Sequence, residues 1–122
     1  MDRKAVLYID DSETGASIVR SGLGSCLVLL WAATVAKAED MLRHRSDIHA
    51  IIIGQSDDAT SGFIQKRVAA SFRGPLIAAT LDAATNASLK ADGCTHAVPG
   101  RHSAVHLVRS ICNGSAYVPA GS

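Results

Sequence analysis

The chain has 122 residues, of which 48% are hydrophobic and 19% are charged, and its formal net charge is +1. That length suits one domain with a single core, and the composition excludes a disordered tail protein. A net charge this close to zero gives no electrostatic basis for bulk binding to nucleic acid or to a membrane surface. No secretion signal opens the sequence, and its longest apolar stretch, 26–33, is far below the ~20 residues that span a bilayer. We therefore expect a cytoplasmic protein.

Short apolar runs alternate with helical patterns along the chain, as in parallel sheets built from βα units. The predicted strands are 5–9, 26–31, 50–53, 76–80 and 95–98. The predicted helices are 13–21, 35–45, 62–71, 83–90 and 103–112, with candidate N-caps at Thr34, Ser61, Asp82 and Ser103. We expect one domain over 1–112, followed by a flexible tail over 113–122 that contains Gly, Ser and Pro.

The first and third predicted strands are followed by different types of residue. Asp10 and Asp11 follow the first, whereas Gly54 follows the third. Because the ends of neighbouring parallel strands converge on one crevice, we expect these residues to share a site. Phosphoryl transfer to an aspartate requires a carboxylate nucleophile and a divalent metal ion. A glycine cannot supply that nucleophile.

Several segments match, in order, the receiver domains of two-component response regulators. Asp10 and Asp11 match that family's metal-binding pair, and 50–63 (AIIIGQSDDATSGF) matches its third strand and the following loop. In this register Gly54 stands at the phosphoacceptor aspartate, and Thr80 falls on the family's switch hydroxyl. The chain therefore resembles an atypical receiver domain over most of its length.

Two further positions depart from the family pattern. Pro99 or Gly100 stands where the family carries a lysine, and Ala97 stands where it usually carries an aromatic residue. The resemblance implies an α/β fold, a flavodoxin-like (βα)5 three-layer sandwich with a parallel sheet in the order 2-1-3-4-5. It also implies a vestigial acidic pocket formed by Asp10, Asp11 and Thr80.

The expected function is that of a phosphorylation-independent pseudo-receiver in a bacterial two-component-type pathway. Such a module is not an enzyme, needs no cofactor and binds another signalling protein: a kinase, a phosphotransfer or output domain, or a second copy of itself. The resemblance places its interaction face on the fourth helix, the fifth strand and the fifth helix. The candidate residues on that face are Ala87, Ala91, His102, His106 and Arg109.

Two alternative functions remain open at this point. The domain could bind a small anion such as a cyclic dinucleotide, with Arg43, Arg45, Arg101 or Arg109 as its contacts. It could instead accept a phosphoryl group at a surrogate loop carboxylate, for which Asp57 and Asp58 are the candidates.

Metal binding is not expected, although a weak Mg²⁺ site at Asp10 and Asp11 stays an alternative. His102 and His106 are four positions apart on a predicted helix, a spacing that zinc sites use, but the sequence offers no evident third ligand.

Overall fold

A computed structural model of the protein describes residues 4–25 and 27–112. The strands are β1 (Lys4–Ile9), β2 (Leu27–Ala32), β3 (Ile48–Ile53), β4 (Leu76–Ala78) and β5 (His96–Ala97). The helices are α1 (Glu13–Leu23), α2 (Val35–His44), α3 (Thr60–Ala69), α4 (Ala83–Asp92) and α5 (Arg101–Cys112). The tail predicted at 113–122 lies outside the described residues.

All five strands are parallel and pair in the order β2-β1-β3-β4-β5, so the predicted sheet order is confirmed. The core divides into two clusters, one on each face of the sheet. Alternate residues of the strands enter opposite clusters: Leu7 and Ile51 pack with α2, α3 and α4, whereas Tyr8 and Ile52 pack with α1 and α5. The predicted three-layer sandwich is therefore present.

The central strands are buried on both faces because helices cover each side of the sheet. β1 carries five consecutive buried residues, and the last four residues of β3 are buried as well. Runs of this kind are expected of central parallel strands, which cannot alternate between core and solvent.

The helix starts differ from the sequence prediction at α3 and α5. Thr34 and Asp82 cap α2 and α4 as predicted, and Ser12 caps α1 by accepting a bond from the Gly15 amide. Ser61 and Ser103 are not N-caps, because both helices begin two residues before their predicted starts at 62 and 103. The early start of α5 places Arg101 in its first turn.

Within the described ranges, no helix is long and apolar enough to cross a membrane.

Candidate functional site

The carboxyl ends of β1 and β3 bring Asp10 and Gly54 together. Ile9 and Ile53 are partners in the parallel register, and the amide of Gly54 donates to the carbonyl of Ile9 at 2.9 Å. The residues that follow these strands therefore lie side by side at one edge of the sheet, as predicted for parallel strands.

The two adjacent carboxylates have separate environments. The Asp10 side chain is buried, and its Oδ1 accepts a bond from the amide of Ser12 at 3.2 Å. Asp11 is exposed, and its amide donates to Oε1 of Gln55 at 2.8 Å. Only Asp10 therefore points into the interior of the crevice.

Three side chains close the interior of that crevice, and we name them the Tyr8–Asp10–Arg101 network. The Tyr8 hydroxyl donates to Oδ2 of Asp10. Arg101 donates from Nε to the Tyr8 hydroxyl at 2.8 Å and from Nη2 to the same Asp10 oxygen at 3.1 Å. Tyr8 and Asp10 are two positions apart and so project toward one face of the sheet, where the first turn of α5 carries Arg101. The network joins the first strand to the last helix.

Burial and the hydrogen bonds within the network determine the protonation states of Tyr8 and Arg101. Burial, followed by the bond to Asp10, raises the pKa of Tyr8 well above its ordinary value. The bonds to Tyr8 and then to Asp10 raise the pKa of Arg101 above its ordinary value. Tyr8 therefore remains a proton donor and Arg101 remains a cation across the physiological pH range.

The network fills the space that a side chain at residue 54 would need. A Cβ built on Gly54 would lie 2.7 Å from the Tyr8 hydroxyl oxygen and 2.9 Å from Oδ2 of Asp10. Both distances are too short for unbonded atoms. A side chain at this position would have to displace part of the network.

Arg101, which the sequence analysis named as a possible contact for a small anion, lies at the crevice. Its guanidinium faces inward and pairs with Asp10, and 31% of its side chain remains exposed. Pro99 and Gly100 provide no cation at the crevice, so the positive charge beside Asp10 comes from Arg101. Sequence reasoning also missed Tyr8, whose hydroxyl in a buried strand needs a hydrogen-bond partner nearby.

Thr80 forms hydrogen bonds with α4 and not with the Tyr8–Asp10–Arg101 network. Its amide and its hydroxyl both donate to Oδ1 of Asn86, at 2.9 and 2.8 Å. Nδ2 of Asn86 donates to the carbonyls of Thr80 and Val98, at 2.9 and 3.2 Å. Asn86 thus fastens α4 to the ends of β4 and β5, a role the sequence analysis did not assign. Ala97, at the family's aromatic position, is exposed.

The other candidate anion contacts do not converge on one site. Arg43 pairs with Asp40 at 3.3 Å on α2. Arg45 pairs with Asp47 at 2.6 Å, and their mutual hydrogen bond raises the pKa of Arg45 and lowers that of Asp47. Arg45 follows α2, so it lies at the amino edge of the sheet, opposite Arg101.

The five candidate interaction residues are exposed on α4 and α5. Ala87 and Ala91 are exposed on α4, and His106 is exposed on α5. Arg109 donates to the carbonyl of Gly22 in α1 at 3.4 Å. His102 lines one surface cavity with residues of α1 and a second with Leu81 and Pro99.

The two candidate surrogate acceptors, Asp57 and Asp58, are both exposed in the loop before α3. Oδ1 of Asp57 accepts bonds from the Ala59 amide and the Thr60 hydroxyl. In the part of the chain that the structure describes, no three Asp, Glu, His or Cys side chains come together as a metal ion would require.

A cavity of about 340 Å³ opens at the mouth of the crevice. Its lining includes Ile18, Leu81, Pro99 and His102, next to Gly54 and Arg101. Leu81 is 88% exposed, which is unusual for a large apolar side chain. The crevice mouth is therefore apolar, although its interior is polar.

Solved structures with the same fold are response-regulator receiver domains. A receiver protein from Pseudoalteromonas atlantica superposes with a TM-score of 0.70 at 18% identity, over 90% of this chain and 98% of that chain. The chemotaxis protein CheY4 of Vibrio cholerae gives a TM-score of 0.73 at 17% identity, over 90% and 99%. The chain has the receiver-domain fold.

A third similar structure is an atypical orphan response regulator with a phosphorylation-independent regulatory mechanism. It superposes with a TM-score of 0.69 at 10% identity and covers 90% of this chain and 92% of that one. No protein-family model matches the chain. No curated protein matches it at the sequence level.

Proposed function

We propose that the domain is a phosphorylation-independent signalling module, which acts by binding another protein of a two-component-type pathway. The observation that carries this proposal is the filled crevice. Residue 54 has no side chain, and the space beside it is occupied by the Tyr8 hydroxyl and the Asp10 carboxylate. The receiver-domain fold supplies the second support, because similar structures are response regulators.

The network also explains why we expect the crevice not to bind a metal ion or a phosphoryl group. Oδ2 of Asp10 accepts bonds from both Tyr8 and Arg101, and a metal ion that used this oxygen would have to displace them. Arg101 neutralises the buried carboxylate from within the chain, so the crevice is held in one state by its own side chains. In this proposal the activity of the domain is regulated by a partner that binds its surface.

Phosphodonor treatment tests this proposal directly. The wild-type domain is incubated with acetyl phosphate and Mg²⁺, and its intact mass is then measured. We expect no phosphoryl adduct, because Gly54 offers no oxygen nucleophile. A stable adduct that disappears in Asp57→Asn or Asp58→Asn would contradict the proposal and favour a surrogate acceptor.

The surface proposed for the partner joins the expected face on α4 and α5 to the apolar mouth of the crevice. Ala87 and Ala91 are small, exposed residues that allow close approach along α4, and Leu81, just before the helix, offers an exposed apolar anchor. Interfaces commonly depend on a few such anchors surrounded by polar contacts.

Binding to candidate kinases, phosphotransfer proteins, output domains and the domain itself would test this surface. Leu81→Asp and Ala87→Glu should each weaken a measured complex by about tenfold or more, since both place a charge in an apolar contact. Asp11→Ala is the matched control at the exposed edge of the crevice and should bind like wild type. Loss of binding in Asp11→Ala alone would place the interface elsewhere.

A further inference from the structure

The amino edge of the sheet, opposite the Tyr8–Asp10–Arg101 network, carries a groove of about 650 Å³. Small-molecule sites in proteins commonly have volumes of ~300–1,000 Å³. The groove lies where α2 and α3 end, and the 70–75 loop before β4 forms one of its walls. Its basic lining residues are Lys4, Arg45, His49, Arg67 and Arg73, and no Asp or Glu side chain is part of the lining.

The positive charges of this groove are only partly balanced. Arg45 is paired with Asp47. Over residues 4–25 and 27–112, neither Arg67 nor Arg73 forms an ion pair, and Nε of Arg67 is buried without a hydrogen-bond partner. The Arg67 guanidinium lies 5.3 Å from the centre of the Phe63 ring. Buried donors are normally satisfied, so the Nε of Arg67 is an exception among the described residues.

Helix dipoles explain part of this arrangement but not all of it. Arg67 is in the last turn of α3, where a cation is favoured by the partial negative charge of the helix end. Arg73 lies four residues beyond the end of α3, outside the first or last turn in which the dipole acts. A second reason is therefore needed for a guanidinium at this wall of the groove.

The wall that carries Arg73 is closely packed against the sheet. A Cβ on Gly74 would lie 2.0 Å from the carbonyl oxygen of His49, so only glycine lets the loop approach β3 this closely. The carbonyl of Pro75 then accepts a bond from the amide of Ile51 at 3.0 Å. The groove is thus preformed, which lowers the entropic cost of binding a ligand.

We propose that this groove binds an organic phosphate with a flat apolar portion, which is the chemistry of a nucleotide. The planar fork of a guanidinium matches phosphate oxygens in a bidentate manner, and Arg67 and Arg73 supply two such forks. Leu42, Phe72 and Pro75 supply apolar surface in the same groove for the flat portion. The site is separate from the crevice, and the proposal does not depend on phosphorylation independence.

Isothermal titration with GMP, cyclic di-GMP and inorganic phosphate tests the proposal on the whole chain. We expect saturable binding of at least one of the two nucleotides, at least about tenfold tighter than that of inorganic phosphate, because only the nucleotides reach the apolar wall. Arg73→Glu should weaken this binding by about tenfold or more through loss of a charge-assisted contact.

Two further variants complete the experiment. Arg67→Gln removes the partly buried guanidinium and should weaken nucleotide binding like Arg73→Glu. Arg20→Glu makes the same charge change as Arg73→Glu on an exposed part of α1 outside the groove, and it should bind like wild type. Absence of binding by both nucleotides, equal affinity for inorganic phosphate, or binding unchanged in Arg73→Glu would each overturn the proposal. Because Arg73 is exposed, its substitution tests the site even if Arg67→Gln impairs folding.

Discussion

At the scale of single residues, Gly54 has a role beyond the absence of a nucleophile. The Tyr8 hydroxyl and the Asp10 carboxylate occupy the space into which any side chain at this position would project. Interior packing has few voids, so an added methyl group must push these groups aside. The glycine and the network are therefore mutually dependent features of the crevice.

Gly54→Ala should destabilise the domain by about 1–3 kcal/mol, the usual cost of overpacking a close-packed site. The free energy of unfolding would be measured by urea denaturation. Gly62→Ala is the matched control, because nothing lies within 4 Å of its added Cβ and alanine favours the helix. In a Tyr8→Phe background the cost should shrink but persist, since the ring carbon Cε1 of residue 8 and Oδ2 of Asp10 each also lie 2.9 Å away. An unchanged cost in that background would contradict the assigned contact.

Tyr8 gives the stability of the domain a dependence on alkaline pH. Its pKa is raised in the folded state, mainly by burial, so the stability linked to its proton is fully present below its ordinary pKa of about 10. Above that pH the unfolded chain loses the proton while the native state keeps it, and stability falls by about 1.4 kcal/mol per pH unit. Tyr8→Phe should make this slope shallower, as measured by urea denaturation between pH 9 and 11, a range set around that ordinary value. A slope of the same sign should remain, because burial raises the pKa of the Cys94 thiol to about 11. Identical slopes in the two proteins would refute the assignment.

At the scale of elements, the side-chain amide of Asn86 and the buried Leu89 side chain both attach α4 to the sheet. Asn86 is buried and joins the backbone after β4 to that after β5. The periodicity of α4 could not predict this, because alanines dominate the helix and its buried side is marked only by Asn86 and Leu89.

Asn86→Ala should cost about 2–3 kcal/mol, because it leaves the buried amide and carbonyl of Thr80 without partners. Hydrogen exchange at the Thr80 amide and along α4 should accelerate more than in α1. Ser88→Ala, on the exposed side of the same helix, is the control and should leave exchange unchanged. Uniform acceleration across the whole domain would indicate global destabilisation and not local release of α4.

The strands and their order were predictable from the sequence, whereas the contacts in the crevice were not. Apolar runs such as 50–53 determine which segments must be buried, and the resemblance supplied the sheet order. The position of Arg101 depends on α5 starting two residues early, and helix boundaries are the least regular part of such patterns. A partnership between residues 8 and 101 has no local signal in the sequence.

At the scale of the whole molecule, the two edges of the sheet have opposite character. At the carboxyl edge the buried Asp10 carboxylate is paired with Arg101, whereas Asp11 is exposed. At the amino edge Arg45 is paired with Asp47, whereas Arg67 and Arg73 form no ion pair with any of the described residues. The proposed ligand would therefore bind at the amino edge and not at Asp10.

Millimolar Mg²⁺ should accordingly change the stability of the domain by less than about 1 kcal/mol, the limit for a weak site that binds only the native state. The measurement is the melting temperature with and without MgCl₂, with NaCl at matched ionic strength as the control. A large magnesium-dependent rise that disappears in Asp11→Asn would contradict this expectation and establish a cation site at the exposed carboxylate.

The Tyr8–Asp10–Arg101 network also bears on the folding kinetics of the chain. Its partners are 93 and 91 positions apart, so it closes a loop that contains most of the domain. Loop closure of this length is entropically costly, and contacts of this kind tend to form after local structure. A contact that is absent from the folding transition state affects the unfolding rate and leaves the folding rate nearly unchanged. We therefore expect the network to form late in folding, so that it slows the unfolding of the native state and has little effect on the folding rate.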